Sequence, residues 1–297
     1  MKSAVSRLEG DLPEINQMTQ ELRRLPRGER SHALAKLMGL AGDPPLRTKA
    51  LGACLDLTTE GVVDGRDLTP HFPMLLSIWK DVYEQVRPLQ QSACKPEWMI
   101  DEDYSAIRGP AELLLDLMGY LPIRQVDESL REGLSLIDPR LKFFAALSLL
   151  RNLEPVDRLE LENIASSKEV RILLWEQLRK MGMESLMPEH WSTPEQLAAS
   201  EFSRWASHPM ELGTPPEEIE LMESFPVQVD GGTADVYLFR FREFPKPWEP
   251  GEGWMAGIAG PFRDGEAIGS PWSRFEQWDS LSPEEHFLKL RGDVAGR

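Results

Sequence analysis

The sequence predicts a mainly α protein: a solenoid of helix pairs followed by a small α+β module. Three observations predict it. First, a helical phrase recurs at about thirty residues, a period that marks stacked helix pairs. Val126-Asp127 opens a helix that runs into Ile137-Asp138-Pro139-Arg140-Leu141, and Val156-Asp157 opens another that runs into Ser167-Lys168-Glu169-Val170-Arg171. Apolar helices follow, Phe143 to Leu150 and Ile172 to Met181. Second, residues 1 to about 190 read as helices only, with apolar residues three and four apart. Third, the composition changes after about 190: six of the nine Trp follow it, and apolar residues begin to alternate as strands require.

The helical elements follow in order. Leu12-Pro13-Glu14-Ile15 opens the first, and Met18, Leu22 and Leu25 continue its apolar stripe. Asp43-Pro44 opens another, with Leu46, Ala50, Ala53, Cys54 and Leu57 inward. An aspartate at the N-cap accepts a backbone N–H, and proline at the first helical position has a preset φ and no donor to lose. Asp138-Pro139 repeats that logic. Thr69 to Val86 is aromatic and apolar, between loops at Glu60 to Pro70 and Gln91 to Tyr104. Arg108-Gly109-Pro110 starts a further helix through Tyr120. Second-helix starts therefore fall near 43, 108, 138 and 168.

These residues resemble HEAT-like repeats, including the short type found in phycobilisome-lyase-like proteins. The phrases that carry the resemblance are Asp138-Pro139-Arg140-Leu141 with Ala145, Ala146 and Leu147, and Glu169-Val170-Arg171 with Leu178 and Gly182. In that family an Asp-Pro or Asp/Glu-x-Val-Arg phrase opens the second helix and Gly closes it. The resemblance implies a HEAT-like helical repeat domain over 1–190. It implies a fold and no particular activity.

Residues 191–222 read as a helical connector. Thr193-Pro194-Glu195-Gln196 has the pattern of a capping box and starts a helix to about Ser207, and Thr214-Pro215-Pro216-Glu217 starts a short acidic helix to about Met222. Residues 223–297 read as a small α+β module. Val227, Val229, Val236, Leu238 and Phe241 suggest strands about an Asp230-Gly231-Gly232 hairpin turn. Trp254 to Phe262 is the next strand, ended by Gly260-Pro261. Arg263-Asp264-Gly265-Glu266 turns into a last strand at Ala267-Ile268-Gly269. Ser282-Pro283-Glu284-Glu285 caps a final helix carrying Phe287, Leu288 and Leu290.

The net charge of −16 and pI near 4.9 set the partner class. Affinity for nucleic acid and anionic membranes comes from Lys and Arg, so neither is an expected partner. An acidic surface attracts a basic protein, or keeps the chain soluble. Cys54 and Cys94 form no disulfide framework and no zinc spacing. With no apolar run of about twenty residues and no signal-peptide core, the expected location is the cytoplasm.

The chemistry points to no catalytic residue, metal or cofactor. Gly251-Glu252-Gly253-Trp254-Met255-Ala256-Gly257 lacks the spacing of a phosphate loop. His32, His71, His190, His208 and His286 show no ligand spacing, and no Gly-x-Ser-x-Gly elbow is present. The best cluster is in the tail: Arg240 and Arg242 on one strand face, with Trp248, Trp254 and Trp272 nearby in sequence. Interleaved Arg and Trp supply interface hot spots; they also build small cores, with the arginines paired to the chain's own carboxylates. The expected function is non-enzymatic protein binding, in its sharpest form an inhibitor, or immunity protein, of a basic toxin. The alternatives are a small-ligand sensor or scaffold, and a lyase-like, cofactor-handling enzyme.

Overall fold

The computed structural model describes residues 14–89, 102–208, 211–213, 215–242, 253–263, 266–268 and 275–292. The protein is mainly helical, with a small antiparallel sheet in its C-terminal part. It divides into two compact units, Met1–Asp157 and Arg158–Arg297.

In the first unit, α1 (14–24) buries Ile15, Met18 and Leu22 as its spacing predicts. Next come α2 (Ser31–Ala41), α3 (Pro44–Thr59), the single turn α4 (Gly65–Leu68) and α5 (Phe72–Leu89). They are followed by α6 (Glu102–Met118), α7 (Val126–Leu134) and α8 (Pro139–Arg151). Helices α2 and α3, α5 and α6, and α7 and α8 pack as pairs. The second members also pack in series, α3 on α6 and α6 on α8, while α5 meets α7. The Ser148 hydroxyl donates to Leu115 O at 2.7 Å between α8 and α6, and Trp79 Nε1 donates to Glu132 Oε2 at 2.8 Å between α5 and α7. Gly133 lets α7 approach closely, since a Cβ there would lie 2.6 Å from Leu115 Cδ2.

The two Asp-Pro starts differ. Asp138 caps α8 through Oδ1, which accepts from the N–H groups of Arg140 (2.8 Å) and Leu141 (3.4 Å). Asp43 has nearly the same ψ before its proline, 115° against 116°, but its side chain makes no capping bond. Asp138 does more than cap. It is 1% exposed and accepts the Tyr104 hydroxyl at 2.6 Å and the Arg108 guanidinium at 2.9 and 3.1 Å. Glu112 lies beside it, 3.2 Å from Arg108 Nε and 2.9 Å from Arg140 Nε.

That network corrects the expected helix start at Arg108-Gly109-Pro110. The helix begins at Glu102, and Pro110 lies inside it. An interior proline loses one backbone bond and crowds the carbonyl four residues earlier, at a cost of about 3 kcal/mol. Here Tyr104 and Arg108 fasten the turn before the proline to buried Asp138, which holds it helical. Tyr104 therefore belongs to a helix rather than to the expected loop; most of that loop, with Cys94, falls outside the described residues.

In the second unit, α9 (Arg158–Ser166) packs on α10 (Arg171–Lys180) and α10 on α11 (Pro194–Ala206). Thr193 Oγ1 accepts from Gln196 N, as a cap should, but the Gln196 side chain turns to Arg171 instead of completing the box. Arg171 is a buried guanidinium that pairs with no carboxylate among the described residues. It donates to Ala165 O (2.7 Å), Ser166 O (3.0 Å) and Gln196 Oε1 (2.6 Å), and lies 4.1 Å over the Trp191 ring. Burial pushes its pKa down to about 10, which leaves it charged at neutral pH. The Arg of the Val170-Arg171 phrase is thus a tie between helices.

Among the described residues five antiparallel strands follow: β1 (Glu218–Val229), β2 (Gly232–Arg242), β3 (Trp254–Arg263), β4 (Glu266–Ala267) and β5 (Phe275–Gln277). Their order is β1-β2-β3-β4, with β5 also paired to β3. Val229 pairs with Gly232, so Asp230-Gly231 is a two-residue hairpin loop whose Gly231 has φ 87°. Where a helix from Thr214 to about Met222 is expected, a strand begins at Glu218: Glu218 to Leu221 pair with Arg242 to Phe239, and cross-strand partners override a local capping pattern. Gly260-Pro261 lies within β3 rather than ending it, beside a register shift opposite Asp235 and Tyr237.

Both faces of the sheet are covered. On one face, Tyr237, Phe239 and Phe241 pack under Ala198 and Phe202 of α11. Gly257 permits that contact, since a Cβ would meet the Phe202 ring at 2.6 Å. On the other, Val227, Val236, Leu238 and Ile258 pack under Phe287 and Leu290 of α12 (Pro283–Gly292). The Phe225 and Phe287 rings stack at 4.1 Å. A reciprocal capping box, Ser282 N to Glu285 Oε2 and Glu285 N to Ser282 Oγ, starts α12. Leu288, expected inward, is exposed.

Candidate protein-contact surface

Residues two apart on a strand share a face, so Arg240 and Arg242 project together from β2. They lie on the α12 side of the sheet, beyond the residues that α12 covers. The register brings them partners from both sides. Glu220 and Glu218 of β1 stand opposite Arg240 and Arg242, and Ala256 and Trp254 of β3 stand opposite them on the other flank. Arg240 Nε donates to Glu220 Oε2 at 2.7 Å. Arg242 pairs closely with Glu218 and lies 3.8 Å from Glu217. Both guanidinium groups sit over the Trp254 ring, at 4.5 and 5.5 Å from its centroid.

The result is a ladder of glutamate, arginine and tryptophan across three strands. Its ion pairs are partly exposed, so each contributes on the order of 0.2–1 kcal/mol. Two cation–π contacts add a comparable amount. The pairing matters more for charge than for stability. Three glutamates (217, 218 and 220) face two arginines, and Glu223 stands exposed farther along β1. The face is therefore acidic overall, with Trp254 half-buried on its β3 flank.

Of the five residues the sequence singled out, Arg240, Arg242 and Trp254 are brought together. Trp248 and Trp272 lie outside the described residues, as does the proline-rich stretch from Phe244 to Pro250.

Sequence reasoning missed a second cluster on the same module. His286 is fully buried on α12. Its Nδ1 lies 2.5 Å from Glu276 Oε1 of β5, its Nε2 lies 3.5 Å from Asp279 Oδ1, and its ring stacks on Trp278 at 4.5 Å. Lys289 Nζ reaches the other Glu276 oxygen at 2.5 Å. Glu284-Glu285-His286 reads locally as an ordinary helix start, and a three-residue strand such as β5 has too little periodicity to announce itself. The cluster fastens α12 to β5.

Among the described residues no group of three or more His, Cys, Asp and Glu side chains could hold a metal ion, and no helix is long and apolar enough to cross a membrane. Cys54 is buried against Met38, and burial pushes its thiol up to about 12, which makes it a poor nucleophile. No protein-family model, no curated protein and no solved structure matches the chain.

Proposed function

We propose that this chain is a non-enzymatic protein-binding protein whose acidic C-terminal unit engages a basic partner. One observation carries the reading: the negative charge is uneven. Residues 158–297 hold 14 Lys and Arg against 25 Asp and Glu, net −11, whereas residues 1–157 hold 19 against 24, net −5. Fields of this sign steer cationic partners and repel polyanions. The Glu217, Glu218, Glu220 and Glu223 row along β1 supplies the acidic rim, and Trp254 supplies the flat aromatic anchor that interfaces favour. In its sharpest form the role is that of a cytoplasmic inhibitor, or immunity protein, of a basic toxin.

The helical part reads as HEAT-like repeats that present or stiffen the binding unit. Two facts support this. The starts of α7 and α9, and those of α8 and α10, are each 32 residues apart. Helices α2/α3, α5/α6 and α7/α8 pack as successive pairs. A pull-down from native cell lysate tests the proposal, at low salt and then at about 0.5 M salt, where screening shortens to a few ångströms. The expected result is a basic protein retained in about equimolar amount and released by salt. Retention of no protein, or of an acidic protein that salt does not release, would sink the reading.

A further inference from the structure

Arg30 precedes α2, and its side chain is half-buried. Nε donates to Leu25 O at 2.8 Å and Nη1 donates to Val62 O. No carboxylate among the described residues pairs with it, although Arg23, Arg27, Arg47 and Arg151 of the same unit each meet one. Backbone carbonyls supply dipoles but no compensating charge, and a partly desolvated cation gains most from a true anion. Arg30 also lines an open cleft of about 300 Å³, together with Arg27, Thr58, Val62, Asp64 and Tyr120. Asp64 does not compensate Arg30. It is bridged by Arg27 at 3.2 Å, and the Arg66 backbone N–H together with Arg27 holds its carboxyl below the usual range.

The cleft therefore offers a guanidinium with unused donors, Val62 and Tyr120 in its lining, and space at the low end of small-molecule sites. A guanidinium fork matches a carboxylate in two parallel hydrogen bonds. We propose that this cleft binds a small organic carboxylate, with its oxygens on Arg30 and its apolar body against Val62 and Tyr120. The site belongs to the helical unit and is independent of the acidic face.

Isothermal titration of the full chain with benzoate, and with benzamide as the uncharged isostere, tests it. Benzoate is expected to bind saturably with Kd of about 1 mM or tighter. Benzamide should bind at least tenfold more weakly, and Arg30→Gln should weaken benzoate at least tenfold. Because Arg30 also ties the Leu25 and Val62 carbonyls, Arg27→Gln, on a well-exposed side chain, is measured beside it and should weaken benzoate several-fold. Benzoate should also shift the Gly61 and Gly65 amide resonances of the wild-type protein, which line the cleft. Absence of saturable benzoate binding, equal binding of benzamide, unchanged affinity in both variants, or shifts that miss Gly61 and Gly65 would overturn the proposal.

Discussion

Among the described residues, Leu153 is the non-glycine residue with a left-handed backbone. It follows α8 with φ 61° and is 83% exposed. Its N–H bonds to Leu150 O and that of Glu154 to Leu149 O, the six-to-one closure that normally places glycine at this position. An L-residue there costs about 1–2 kcal/mol, and so exposed a side chain recovers little of it. Leu153→Gly should therefore raise stability by about 1 kcal/mol in urea unfolding; a loss of stability would mean that the leucine has a contact the structure does not give it. Cys54 makes a second residue-scale prediction. Its thiol is raised from an ordinary 9.0 to about 12 by burial, so the unfolded chain releases this proton first. The stability it contributes is complete below pH 9 and falls as pH rises towards 12, by about 1.4 kcal/mol per pH unit. Tyr237, raised to about 12 by burial and then by Asp235 and Glu195, adds to the loss above pH 10. Cys54→Ala should flatten the decline between pH 9 and 10 in pH-dependent denaturation; an unchanged slope would contradict the assignment.

At the scale of the element, identical local signals carry different weight. Asp43-Pro44 and Asp138-Pro139 look alike in sequence, and both do begin helices. Only the second aspartate sits in a buried network, with Tyr104 and Arg108 as partners. Removing one member of such a network leaves an uncompensated buried charge, so Asp138→Ala should cost about 3 kcal/mol or more. Asp43→Ala, which removes no capping bond, should cost under about 0.5 kcal/mol. Parallel unfolding curves check the contrast; equal costs would show that the buried network around Asp138 adds nothing to stability. The same comparison explains what was legible. The stripe of α1, the start of α3 at Asp43-Pro44 and the hairpin at Asp230-Gly231 are written in local chemistry, whereas α3 buries Leu51 and leaves Ala53, expected inward, half-buried. The start of α6 depends on contacts with Asp138, more than thirty residues away, and β1 depends on its register with β2. Neither dependence leaves a local trace, so a proline and a capping phrase misdirected the reading there.

At the scale of the molecule, alternation along β2 was enough to place Arg240 and Arg242 on one face, and Trp254 was suspected as their neighbour. What the sequence left open was whether these residues are core or surface. The register resolves it physically: Tyr237, Phe239 and Phe241 point to α11, while Arg240, Arg242 and Trp254 lie past the cover of α12, the two arginines paired with β1 glutamates and set over the Trp254 ring. The His286 cluster was not legible, because its partners Glu276 and Asp279 come from β5 and the segment just after it. The uneven charge could be counted from sequence, but the boundary at Asp157 that gives the count meaning comes from the fold. The account stands or falls on whether that acidic face binds. The most direct measurement is the affinity of the basic protein recovered from lysate for wild type, Trp254→Ala and Glu223→Lys, at about 0.05 and 0.5 M salt. The account predicts that Trp254→Ala weakens binding at least tenfold, the loss of an anchor worth about 1.4 kcal/mol or more. It also predicts that Glu223→Lys weakens binding mainly at low salt, because the charge of an exposed side chain is screened at high salt. Equal affinity for all three proteins at both salt concentrations would contradict it.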